Sequence, residues 1–288
     1  MSFAFEAIGT HWNIIIQDEI SDHARSDIFK SIQNRINEFD KNYSRFREDS
    51  LVTTMSKQCG VFTLPCDAEP LFDLYEKMYR FTEGMMTPLI GRLLEETGYD
   101  ANYSFQTKTL HTPPAWNEAI EYTFPAITIK QPVLLDVGAA GKGYLVDLIG
   151  ELLRAQGVQS FSINAGGDIL HGDIGGVPIR VALEHPKDTE SAIGVAHILN
   201  ESICGSSGNR RVWGKYHHIL NPHTQESPRH IAAVWMIAKT ALIADALTTA
   251  LYFVEPEKLE TEFLFEYLVM FKDATVNKSN GFNAELFC

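Results

Sequence analysis

Asp136-Val137-Gly138-Ala139-Ala140-Gly141-Lys142-Gly143-Tyr144 runs directly into the clearest helical pattern of the chain. From Lys142 to Gln156, Leu145, Leu148, Ile149, Leu152 and Leu153 fall on one face, and Gly157 stands where a helix stop belongs. Small residues let the backbone approach a ligand, a helix N-terminus offers N–H groups to phosphate, and Lys142 adds positive charge. Spacing excludes two familiar phosphate loops. A Walker A loop needs Ser or Thr after Gly-Lys, where Gly143 stands, and a dinucleotide fingerprint needs GxGxxG, whereas the order here is GxxGxG. By itself such a turn is about as compatible with close packing as with ligand binding.

Outward from this helix, the pattern does not alternate strand and helix. Residues 3–8 and 12–16 read as strands around a Gly9-Thr10 turn, and Ile28, Ile32, Ile36 and Phe39 mark a helix over 22–39. A second helix is expected over 70–82, with Pro88 marking its end region, and 98–118 reads as a loop-rich connection. Strands are expected at 159–163, 178–184, 194–199, 231–238 and 266–271, and a helix at 242–253. This order predicts an α+β fold of mainly antiparallel sheets with packed helices, and residues 1–288 read as one domain.

The bulk numbers narrow the function. A chain of 288 residues with 45% hydrophobic side chains can bury a large core, and a net charge of −13 argues against a nucleic-acid surface. An anionic ligand would need a local remedy: backbone N–H groups, a lysine or a metal ion. Cys59, Cys66, Cys204 and Cys288 lack CxxC spacing and read as reduced thiols. The start MSFAFEAIGTHWNIIIQDE lacks a signal-peptide pattern, and no apolar run reaches membrane-span length, so a cytoplasmic protein is expected unless an upstream export signal is missing.

Three more stretches carry chemistry. Asn164-Ala165-Gly166-Gly167-Asp168 reads first as a simple tight loop. Asp245 and Thr249 stand one helical turn apart, hard oxygen ligands suited to Mg²⁺, although an N-capping Asp is the commoner reason for such a residue. In Lys215-Tyr216-His217-His218-Ile219-Leu220-Asn221-Pro222, strand alternation would send one His inward and the other outward, which leaves His218 as a proton acceptor.

These stretches occur together in the order of one family, and the chain resembles the ApbE family of FAD:protein FMN transferases. Ile8-Gly9-Thr10 is similar to its opening motif, Ser44-Arg45-Phe46-Arg47-Glu48-Asp49-Ser50 to the segment before its first flavin-site loop, and Gly84-Met85-Met86-Thr87-Pro88 to its next motif. The resemblance covers residue 8 to about 254. It implies Mg²⁺-assisted transfer of FMN from FAD to a threonine of an acceptor flavoprotein, with release of AMP. It also implies metal ligands at Asp245, Thr249 and the Ala139 carbonyl with Thr248 close by, an FAD site at Phe46, Met85, Met86, Thr87, Asp136, Lys142 and Ile219, and a catalytic His218. Ile8, Phe46, Thr87, Asn209 and Asn221 depart from the family pattern, three of them replacing acids. FAD hydrolysis to FMN and AMP, or FAD binding without turnover, are the alternatives.

Overall fold

A computed structural model describes residues 1–287, so Cys288 lies outside the described residues. The chain opens on a hairpin of β1 (Ser2–Ala7) and β2 (Thr10–Ile16). Its turn is Ile8-Gly9, one residue earlier than the sequence suggests, with both residues at positive φ (45° and 72°). Helix α1 (Asp22–Tyr43) is capped by Ser21 and runs a turn beyond its expected end. There follow α2 (Leu51–Met55), β3 (Gly60–Thr63), α3 (Glu69–Phe81), a 3-10 turn at Pro88–Ile90, α4 (Gly91–Glu96), α5 (Trp116–Ala119), β4 (Ile120–Thr123) and β5 (Ala126–Ile129). Pro88 does not end α3. The Thr82 hydroxyl donates to the Met78 carbonyl and accepts from the Met86 N–H, so the chain turns first and Pro88 starts the next element.

The second half holds α6 (Gly141–Ala155), β6 (Phe161–Ala165), β7 (Asp168–Gly172), β8 (Ile179–His185), β9 (Asp188–Ile198), β10 (Ser202–Ser207), β11 (Val212–Trp213), β12 (Tyr216–His217), β13 (Ile231–Ala238), α7 (Ala241–Ala250), α8 (Pro256–Glu260), β14 (Phe265–Phe271), β15 (Val276–Lys278) and β16 (Ala284–Leu286). Helix α6 stops as its sequence demands. Gly157 sits at φ 85°, its N–H donates to the Arg154 carbonyl, and the Val158 N–H reaches back to Leu153. Strand β9 begins earlier than expected, because the tip of the β8–β9 hairpin projects its Asp188-Thr189-Glu190-Ser191 end into solvent.

The main sheet has the order β1-β2-β6-β7-β10-β13-β14-β15, with antiparallel pairing between neighbours, which bears out the α+β reading. Strand alternation gives the sheet two apolar faces. Ile14, Ile163, Val234 and Met236 meet helices α1, α6 and α7 in the larger core. Ile169, Ile203, Trp235, Ile237 and Leu268 meet a second sheet of order β16-β9-β8. A third, smaller cluster joins Leu93, Leu94 and Tyr99 to Trp213, Tyr216 and Leu220, and fastens the β11–β12 hairpin beside α4. Among the described residues no helix is long and apolar enough to cross a membrane.

Candidate active site

The entrance of α6 is built against α7. A Cβ on Gly143 would stand 2.2 Å from the Ala241 carbonyl oxygen and 2.6 Å from the Asp245 Cβ, so only glycine lets the two helices come this close. Contact fixes the polar groups as well. The Gly143 N–H donates to Asp245 Oδ2 at 2.8 Å, and Asp147 accepts the Ala241 and Leu242 N–H groups at 2.9 and 2.7 Å. With Thr240 accepting from Ile243, the first three N–H groups of α7 are satisfied. Asp245 therefore does not cap its helix, and the capping alternative falls away. Asp245 is buried, which raises its pKa, while Lys142 and the Gly143 N–H pull it down.

At the helix entrance itself the Gly141 N–H is taken by Val137 and the Gly143 N–H by Asp245, so among these the Lys142 N–H alone finds no acceptor among the described residues. The Lys142 ammonium pairs with Asp168, a fully buried carboxylate. Asp168 follows Gly166-Gly167, which turn at φ 63° and 105° between the paired Ala165 and Asp168. That stretch is thus a tight hairpin, as expected, but one whose last residue aims the lysine.

His218 follows β12, and its Nδ1 is buried without a partner. Burial, then Arg211, His217 and Lys142, push its pKa down to about 3, so the ring is neutral. The expectation of one inward and one outward histidine fails. His217 is buried, its Nε2 on the Pro228 carbonyl and its N–H on Ser227, while half-buried His218 lies past the end of the two-residue β12 with its Nδ1 turned inside.

A cleft of about 650 Å³ opens beside this node, lined by Phe46, Asp136, Lys142, Arg45, Tyr99, Tyr103, Arg211 and Trp213 among others. Its size suits a cofactor-sized ligand. Arg45 is buried, its guanidinium 4.1 Å from the Phe46 ring and 4.9 Å from Tyr99, and its Nε donates to Asp136 at 2.5 Å. Tyr99 stacks on Trp213 and Tyr103 on Phe46. Sequence reasoning missed Arg45, Tyr99 and Trp213, which three distant segments bring together. Asp147 did leave a signal, a carboxylate inside the apolar run of α6.

The remaining expected residues lie around the cleft rather than in its wall. Met86 and Thr87 are buried, and the Thr87 hydroxyl caps the Pro88–Ile90 turn. Met85 is half-buried beside them, and the segment adjoins Asp136 through the Pro88 carbonyl, which accepts the Asp136 N–H at 2.7 Å. Ile219 is buried, its N–H donating to His217 Nδ1.

For a divalent cation the donor set is lean. Among the described residues no group of three or more His, Cys, Asp or Glu forms a metal cage. Asp245 keeps one oxygen without a protein donor, and the hydroxyl of half-exposed Thr249 stands a turn further on. The Thr248 hydroxyl is occupied, donating to the Asp245 carbonyl at 2.7 Å and sharing a bond with Ser206 at 2.8 Å. Half-buried Ala139 lies in the turn preceding α6. One carboxylate, a hydroxyl and backbone oxygen fit a hard cation that takes its other ligands from phosphate and water.

Comparison with known proteins follows the same lines. The ApbE family pattern matches residues 8–264. The FAD:protein FMN transferase of Escherichia coli K12 is 24% identical over 277 residues, covering 88% of this chain and 78% of its own. That of Haemophilus influenzae is 24% identical, covering 98% and 88%. Among solved structures, the ApbE protein of Thermotoga maritima superposes with a TM-score of 0.85 at 20% identity over 97% of both chains. The flavin transferase ApbE of Vibrio cholerae gives 0.82 at 21% over 98% and 97%. At these identities the superpositions show the fold.

Proposed function

The chain is a member of the ApbE family, and on that footing we propose that it is a transferase moving the FMN half of FAD onto a threonine hydroxyl of an acceptor protein. The observation that carries the reading is the α6–α7 junction. Lys142 lines a cleft walled by aromatic rings, and the next residue, Gly143, bonds buried Asp245 on α7. Such a cleft accepts flat rings on its walls and a pyrophosphate at the helix junction.

In this reading the acceptor's threonine oxygen bonds to the FMN phosphorus. The bridging P–O bond to AMP breaks, AMP leaves, and the hydroxyl proton passes to His218 Nδ1. Asp245, Thr249 and the Ala139 carbonyl would hold Mg²⁺, which would supply charge neutralisation on the pyrophosphate. Lys142 offers its ammonium to the same phosphates, and Asp168 holds it in place. Arg45 and Asp136 fix the turn and Phe46 against one another. Burial is the first cause of the low His218 pKa, and an anionic ligand beside the ring would offset the Arg211 and Lys142 charges that add to it.

Mass spectrometry of a threonine-bearing acceptor protein after incubation with FAD, Mg²⁺ and this protein tests the reading. An FMN adduct with one AMP released per adduct is expected. Free FMN with AMP and no adduct would establish hydrolysis instead.

A further inference from the structure

Strand β8 ends its sheet, whose order is β16-β9-β8, so one edge of β8 has no neighbouring strand. That edge borders a second cleft of about 600 Å³. Ile179, Arg180, Val181 and Ala182 all line it in succession. Consecutive strand residues point to opposite faces, so a run of four reaches one cleft only where the strand presents its edge. The opposite wall is the helix-free face of the main sheet, where polar Asn13, Ser162, Asn164 and Ser207 stand beside apolar Ile15, Ile169, Ile203 and Trp235. An open edge of unpaired N–H and C=O groups above such a floor is a template for one more strand.

The second cleft adjoins the first at Arg210, which lines both and is ion-paired to Glu184 of β8. Ser206, on the rim of the second cleft, shares its hydroxyl bond with Thr248, three residues after Asp245 on α7. We propose that this second cleft receives the threonine-bearing segment of the acceptor protein in extended form, added as a strand along β8, and leads its hydroxyl past Arg210 to the nucleotide cleft. The inference rests on the transferase reading above. An extended segment suits the site because backbone pairing with β8 holds it regardless of most side chains. The mixed floor offers polar and apolar neighbours to alternate side chains.

The test uses the full chain, FAD, Mg²⁺ and a library of peptides of about 12 residues, each with a central threonine and scored by covalent flavin fluorescence. The best-labelled peptide is then resynthesised with a single N-methyl group at each position in turn. N-methylation is expected to lower labelling about tenfold at alternate positions, the spacing of strand hydrogen bonds. Ala182→Trp and Asn13→Trp, which narrow the cleft from opposite walls, are expected to raise the peptide KM by a similar factor. FAD affinity and FAD turnover without peptide should stay within about twofold. Labelling indifferent to N-methylation and to both substitutions would overturn the proposal while leaving the transferase reading intact. A wild type that splits FAD but labels no peptide and no protein acceptor would remove the transferase reading, and this proposal with it.

Discussion

Gly143→Ala adds one methyl group at the tightest point between α6 and α7. On an exposed helix the change would stabilise by about 0.5–1 kcal/mol, because alanine is the better helix former. Gly143 has no need of positive φ, so backbone strain does not enter. Packing reverses the sign. The new carbon would stand 2.2 Å from the Ala241 oxygen, about 1 Å inside ordinary contact, and the obstacle is backbone rather than a flexible side chain. Relief requires the helices to part, which stretches the Gly143–Asp245 hydrogen bond and the two bonds from Asp147 to α7. Overpacking of this kind costs about 1–3 kcal/mol. The expected result is a net loss of about 1–2 kcal/mol in urea unfolding, together with loss of the Mg²⁺-dependent tightening of FAD measured by flavin fluorescence. A variant as stable as the wild type, with unchanged Mg²⁺ dependence, would refute both the packing argument and the proposed metal ligands on α7.

Burial raises the Asp147 pKa from 3.8 to about 6, against the pull of two backbone donors, so the folded state favours the neutral acid. Its contribution is therefore present at low pH and is lost as pH rises from about 4 through about 6. Allowing for partial exposure, the stability of Asp147→Asn relative to wild type should shift in the variant's favour by about 2–3 kcal/mol between pH 4 and 7.5, and a flat difference would remove the effect. Asp245→Asn should melt near the wild type without ligand yet lose FMN transfer, a loss of several kcal/mol of transition-state stabilisation in order of magnitude. EDTA on the wild type should reproduce that loss, and transfer that survives in the variant would disprove the ligand assignment. His218→Ala should slow transfer by roughly 10²–10⁴-fold with FAD affinity retained, and full activity in acceptor labelling would make the histidine structural.

Helices α1, α3, α6 and α7 were legible because each carries a long apolar stripe, and α6 also a recognisable stop at Gly157. The small β3–β5–β4 sheet was not, since three strands of four residues leave no periodicity to read. The same contrast runs through the site. Lys142 and Asp245 stood out because helix geometry is local, whereas their closeness depends on Gly143, whose role appears only when α7 packs against it. Asp168 looked like the end of a loop, yet pairing of β6 with β7 turns it inward to Lys142. The Arg45 clamp joins rings from residues 46 and 99, and no spacing rule connects them.

The Gly143–Asp245 bond closes a loop of 102 residues, and the Arg45–Asp136 bond one of 91. In the main sheet β2 pairs with β6 across the whole first half of the chain. Contacts of such long range carry the entropy of closing each loop, which slows folding. The cleft therefore rests on contacts that join parts of the chain far apart in sequence. A nascent chain released before α7 emerges would carry Asp136 and Asp168 but lack Asp245, so the α6–α7 junction is completed only by the final third of the sequence.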